Sequence, residues 1–226
     1  MKAYFVVTFA LALSVVHAAH ADDKTAAPSE WEKIRETDDG IATFRKEVPG
    51  TRVVAFRGEA IIDAPIARVA GVLEDVKREK EWMADLVESS EIEKTSESDR
   101  WEYNRTSTPW PLRDRDFVMH TLITFEKSPV PTLTIQMNSA VNPKMPVIDG
   151  VVRGELVDSK FVLKAIAPGK TWFSCEVLAD PKGDIPKWVV NLFQKGWPRD
   201  TIEGLRTQVA KPIVVENETV KRLMKQ

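Results

Sequence analysis

Cysteine is almost missing from this chain. Cys175 is the only one in 226 residues, so no intrachain disulfide can form. Histidine is nearly as scarce: of three, His17 and His20 lie in the first 21 residues, which leaves His120. One Cys and one His cannot build an ordinary zinc centre, and no metal site is expected. Nothing in the sequence brings Cys175 and His120 together as a nucleophile and its base. The ten glycines form neither common phosphate-binding loop, and no G-x-S-x-G elbow occurs. These common catalytic and cofactor motifs are thus missing, and no catalytic residue or cofactor is assigned from them. Basic blocks are missing too. Setting Lys2 aside, 31 Lys and Arg face 34 Asp and Glu, a balance of −3 that argues against nucleic acid as a partner.

Long apolar runs are also few. The one that stands out, 4–16, follows Met1-Lys2 and precedes Ala19-His20-Ala21. A basic start, a short apolar run and a small-x-small site read as a secretory signal peptide over 1–21, too short for a membrane span. The alternative is a buried N-terminal helix. Cleavage after Ala21 predicts an exported protein beginning at Asp22: periplasmic in a bacterium, otherwise secreted. No Cys follows the site, so a lipoprotein anchor is not expected.

What is present is most distinctive at Thr108-Pro109-Trp110-Pro111-Leu112-Arg113-Asp114-Arg115-Asp116-Phe117. Proline lacks an amide proton, so Pro109 and Pro111 cannot serve a central ladder. The segment predicts a stiff, protruding loop with Trp110 at its tip. Such an indole either meets an apolar partner or folds back onto the core as an anchor.

Around it, strands are predicted at 31–36 and 41–48, joined at Asp38-Asp39-Gly40. A third, 53–62, carries Val54, Phe56, Gly58, Ala60 and Ile62 on one face. Asp63 then caps a helix with Pro65 in its first turn, and Ile66, Val69, Ala70, Leu73 and Val76 have helical spacing. A short second helix holds Trp82 and Met83. Period-two stripes mark strands at 117–125 and 133–137, with further strands at 151–156, 161–166 and 171–178. Within the last, Cys175 shares a face with Phe173 and Val177, the position of a small buried hydrophobe. Sequential strands with short turns pair antiparallel. The C-terminal helix has Asp184 as cap, Pro186 in its first turn and an apolar face through Val189, Phe193, Ile202, Leu205 and Val209. Pro198 interrupts that pattern and predicts a kink. One long helix against a curled antiparallel sheet either encloses a cavity or packs tightly without one.

These segments resemble the START lipid-transfer domains, nearest to the phosphatidylcholine transfer protein and the ceramide transfer domain. The residues that carry the likeness are 109–118, Asp149-Gly150-Val151-Val152-Arg153, and 180–209 with Gly183-Asp184-Ile185-Pro186-Lys187-Trp188. Trp31-Glu32-Lys33-Ile34 and the Gly40-Ile41 turn fit the first strands. The resemblance implies an α+β helix-grip fold: a curved antiparallel sheet wrapped around a long C-terminal helix, with an internal lipid cavity. It divides the chain into a signal peptide (1–21), a polar leader (22–29), a START-like domain (30–212) and a polar C-terminal tail (213–226).

It also implies site residues. Trp110 matches a membrane-touching Trp of the ceramide relative. Trp110, Pro111, Leu112, Trp197 and Pro198 are the membrane-contact and lid candidates. Arg115 matches an Arg that lines the cavity in a charged pair, and Glu102 is assigned as its acidic partner. Phe117, Met119, Met137, Val189 and Phe193 complete the cavity candidates. One departure stands out. Where the phosphatidylcholine relative holds phosphate with an Arg shortly before a Trp, Trp82 places Glu79, with Arg78 one position off.

The implied activity is non-enzymatic: binding of a single phospholipid, sterol or other long-chain lipid, and its transfer through transient contact with a membrane surface. Two alternatives stay open, a helix-grip cyclase or hydrolase using the same cavity and a non-catalytic protein-binding adaptor.

Overall fold

The computed structural model describes residues 30–225 apart from Arg52 and Pro186, and leaves out the side chains of 187–189 and 191–194. The predicted signal peptide and polar leader lie outside the described residues. The strands are β1 (Glu32–Glu36), β2 (Ala42–Glu47), β3 (Val54–Ile62), β4 (Leu86–Ser96), β5 (Asp99–Thr106), β6 (Arg115–Glu126), β7 (Thr132–Ser139), β8 (Val152–Arg153), β9 (Glu155–Ala167) and β10 (Lys170–Asp180). Helices α1 (Ile66–Glu74), α2 (Lys187–Val209) and α3 (Glu218–Lys225) complete it.

The sheet runs β1-β2-β3-β10-β9-β7-β6-β5-β4, and these neighbours pair antiparallel. Its first three strands meet the last one through Ile62 opposite Thr171. This long-range pairing sets the two chain ends side by side, with α2 across the concave face. The alternation read in β3 holds from Phe56 onward, where Phe56, Gly58, Ala60 and Ile62 are buried; Val54 is half-buried and Ala55, on the opposite face, is buried against a second cluster. The core gathers where α1 and the C-terminal half of α2 meet this sheet. Ile62, Val69, Leu163, Phe173, Ile202 and Leu205 there are wholly or almost wholly buried. Each such apolar side chain contributes about 1.5–3 kcal/mol. Gly204 sets how closely α2 can approach. A Cβ there would lie 1.9 Å from the carbonyl oxygen of Trp82, so any side chain would push the helix off its seat.

Several expectations need correction. Asp63 does not cap α1; it ion-pairs with Lys170, and α1 starts behind Pro65 with no side-chain cap. The short helix before Trp82 is a 3-10 turn, Val76–Glu81, and Trp82 follows it. The strand expected at 151–156 breaks at Gly154. Its first part, β8, pairs parallel with β6, while the rest merges with 161–166 into β9. The cause is packing: the Phe117 ring fills the space of a Gly154 side chain, 2.4 Å from an ideal Cβ.

The C-terminal segment is not a polar tail. Asn217 Oδ1 accepts the Val220 amide at 2.8 Å and so caps α3, and Val220 is buried. Arg68 on α1 then holds the whole segment. Its guanidinium donates to the carbonyls of Val209 (2.8 Å), Lys211 (2.8 Å) and Val214 (3.1 Å). The last described residues thus pack back on the core as a helix.

Candidate functional site

Between α2 and the sheet lies a cavity of about 410 Å³. Its wall follows from strand alternation. On β5 the side chains of Glu102, Asn104 and Thr106 share the inner face, and on β6 those of Arg115, Phe117 and Met119 do. The pairing sets Thr106 opposite Arg115, Asn104 opposite Phe117, and Glu102 opposite Met119. Met137, Phe161 and Val177 extend the apolar floor. Trp197 lies over Phe161 with the rings nearly parallel, 10° apart at 6.5 Å between centroids. Three loops frame the mouth: one with exposed Asp85, one with exposed Ser107 and Pro109, and one that brings Pro181 and Ile185 to the lining.

The Trp110 loop closes one side of that mouth. Trp110 is 92 % exposed, which removes the core-anchor reading, and Pro111 is exposed beside it. Leu112 turns inward and lines the opening. Both feet of the loop are tied. Thr108 donates its amide to Asp114 Oδ1 at 3.2 Å and its hydroxyl to the Arg113 carbonyl at 2.7 Å. Below it, fully buried Asp116 receives the Arg153 guanidinium as a fork, at 2.8 and 3.0 Å. The Trp is thus held out on a rigid base.

Arg115 lines the cavity at 5 % exposure. It does not pair with Glu102. Their strand positions differ by four residues, roughly 13 Å of strand. Instead Arg115 donates to the carbonyls of Arg113 and Pro181, the latter at 3.4 Å, tying the start of β6 to the loop ahead of α2. Burial, with Arg113 alongside, pulls its proton affinity below the usual guanidinium value. Glu102 belongs to a different group. Arg100 Nε and Thr121 Oγ1 each donate to its carboxylate at 2.6 Å, further along the same face of β5 and outside the cavity lining.

The other candidates divide. Phe117, Met119 and Met137 line the cavity. The side chains of Val189 and Phe193 lie outside the described residues. Trp197 and Pro198 do not face outward as membrane-contact residues would. Trp197 is half-buried on the cavity, and Pro198 is buried over Gly58, where an ideal Cβ would sit 2.9 Å from it. The apolar stripe of α2 turns them toward the sheet. Cys175, fully buried, has its thiol pushed up to about 12 by desolvation and is chemically inert.

The residue that sequence reasoning did not place in the cavity is Glu79. It is buried on the lining, and its Oε2 accepts from Ser89 Oγ at 2.7 Å and from Asn104 Nδ2 at 3.1 Å. Burial first, and the negative charge of Glu102 second, push its carboxyl up to about 7. A sequence signal existed: Val76 and Glu79 fall three apart, on one face of the 3-10 turn.

A family model described as the START domain matches residues 16–210 of this chain. The uncharacterized protein PA1579 of Pseudomonas aeruginosa is 30% identical over 186 residues, covering 82% of this chain and 90% of that protein. Among solved structures, a STAR-related lipid transfer protein from Xanthomonas axonopodis superposes with a TM-score of 0.68 at 26% identity, covering 80% of this chain and 99% of that one. Human STARD10 superposes with a TM-score of 0.72 at 20% identity, covering 80% and 74%.

Proposed function

Because this chain belongs to the START domain family, we propose that it binds one lipid in the cavity beneath α2 and carries it between membranes after export from the cell. The observation that supports this best is one of position. A largely apolar cavity of about 410 Å³ opens beside a tied loop whose Trp110 is 92 % exposed. The volume falls within the range of small-molecule pockets, roughly 300–1,000 Å³.

The mechanism is desolvation. Each methylene that leaves water for the Met and Phe wall gains about 0.8 kcal/mol, and no covalent step is required. Trp110 enters the headgroup layer, where an amphipathic ring is favoured, and sets the mouth against the bilayer. Leu112, at the inner edge of the same loop, lies where a tail would pass.

Native mass spectrometry of the full purified chain tests binding: a co-purified lipid, released on denaturation, is expected. A vesicle-to-vesicle exchange assay tests transfer. Protein that carries no lipid and takes none from vesicles would overturn the reading. N-terminal sequencing of the cellular protein tests export and is expected to begin at Asp22.

A further inference from the structure

The cavity ends abruptly on its inner side. Phe161 of β9 stands opposite Cys175 of β10 and Ile135 of β7, so their inward side chains form a bar across three strands. Behind it a second bar repeats the pattern with Phe173, Leu163 and Leu133. All of these are at most 3 % exposed, and of them Phe161 alone lines the cavity. The Phe161 ring is braced twice: the Phe173 ring lies 5.7 Å from it between centroids, and Trp197 covers it from α2 at 6.5 Å. Close-packed interiors yield little, so a ligand cannot pass such a double bar without displacing side chains from the core. The space left on the mouth side is about 410 Å³. At about 30 Å³ for each group the size of a liquid water molecule, that is room for about fourteen methylenes.

We propose that the cavity takes a lipid with one long chain and excludes lipids that carry two. This rests on the lipid-binding reading above and narrows it. The space accommodates most of a single oleoyl chain, with the headgroup and the first carbons at the mouth. Two such chains need more than twice that room, and the double bar denies it. The consequence for binding is steep. A methylene that moves from a bilayer into a cavity with room exchanges one apolar surrounding for another, so its net effect is small. One that finds no room is left in water, at a loss of about fourfold in occupancy for each.

The test keeps headgroup and chain type constant. The full chain is equilibrated with vesicles that contain oleoyl lysophosphatidylcholine and dioleoyl phosphatidylcholine in equal amounts, separated from them, and read by native mass spectrometry. Occupancy by the one-chain lipid is expected to exceed the other about a hundredfold or more, the effect of about three or four methylenes stranded in water. A series of lysophosphatidylcholines in the same format should hold level occupancy up to the chain length that fills the cavity, then fall about fourfold for each further methylene. Phe161→Ala removes the ring that closes the inner end and should move that break to longer chains. Should this variant not fold, Met137→Ala thins the adjoining wall and should move the break in the same direction by less. Comparable occupancy by the dioleoyl lipid in the wild type would overturn the one-chain limit while leaving lipid binding intact. So would a series without a break, or a break that neither variant moves. Binding of neither lipid, in protein that also carries no lipid of its own, would overturn the lipid-binding reading itself.

Discussion

The two ends of the β5–β6 wall hold their charges in opposite ways. At the inner end, Glu102 is matched: a guanidinium and a hydroxyl both reach it at 2.6 Å, and it faces no open space. Nearer the mouth, Glu79 has only neutral donors, and Arg115 has only backbone carbonyls. A paired buried charge serves the fold, whereas one held by neutral groups keeps capacity for something else. The inner end is therefore expected to govern stability and the outer end to govern exchange with ligand.

Removing Arg100 should break this contrast most severely. Arg100→Met strands the Glu102 carboxylate in the interior and should cost about 3–5 kcal/mol, read as a lower denaturant midpoint. A loss no larger than that of the outer variants would erase the distinction.

Next comes pH. The folded pKa of Glu79, about 7, lies above its ordinary 4.5, so between those values the folded chain holds a proton that the unfolded chain has released. This contribution is fully present below about pH 4.5 and is lost as pH rises through 7. At about 1.4 kcal/mol per pH unit the loss is on the order of 3 kcal/mol. Glu79→Gln should flatten the stability profile across that window in denaturant titrations. A wild-type profile without this slope would show that Glu79 is as well compensated as Glu102.

Arg115→Met should be milder, below about 2 kcal/mol, because it leaves carbonyls at the mouth rather than a carboxylate. A thermal melt alongside Arg100→Met measures the difference directly. Trp110→Ala should change stability least, within about 0.5 kcal/mol, since a 92 % exposed ring has little contact to lose. It should nevertheless slow lipid exchange between vesicles several-fold, with equilibrium affinity retained. An unchanged transfer rate would take the loop out of the mechanism.

Much of the fold was legible because one-sided burial leaves a period in the sequence. Phe56 to Ile62 and Leu133 to Met137 alternate, and Ile202, Leu205 and Val209 repeat helically. Pairings between residues far apart in the chain leave no such mark, so Ile62 against Thr171 could come only through the family likeness. Helix α3 escaped because its apolar content is small: Val220 and Met224, four apart, carry its contact with the core. Its cap, Asn217, was visible but set in a polar stretch. In the site, inward-facing Phe117 and Met119 could be named from alternation. The Arg115–Glu102 pair failed because strand register, which local sequence does not encode, separates the two. Glu79 was singled out only as a departure from the phosphate-binding pattern. Its partners Ser89 and Asn104 come from two different strands, and only the folded sheet brings them to it.

The three carbonyls gripped by Arg68 belong to Val209, Lys211 and Val214, all at the far end of α2 from the cavity mouth. The other half of α2 is held differently: Val190 packs with Val53, Ala55 and Leu178, and Trp197 lies on Phe161 over the cavity. One half of the helix is therefore fastened by polar bonds to a single guanidinium beyond its end, and the other, among the described residues, by apolar contact.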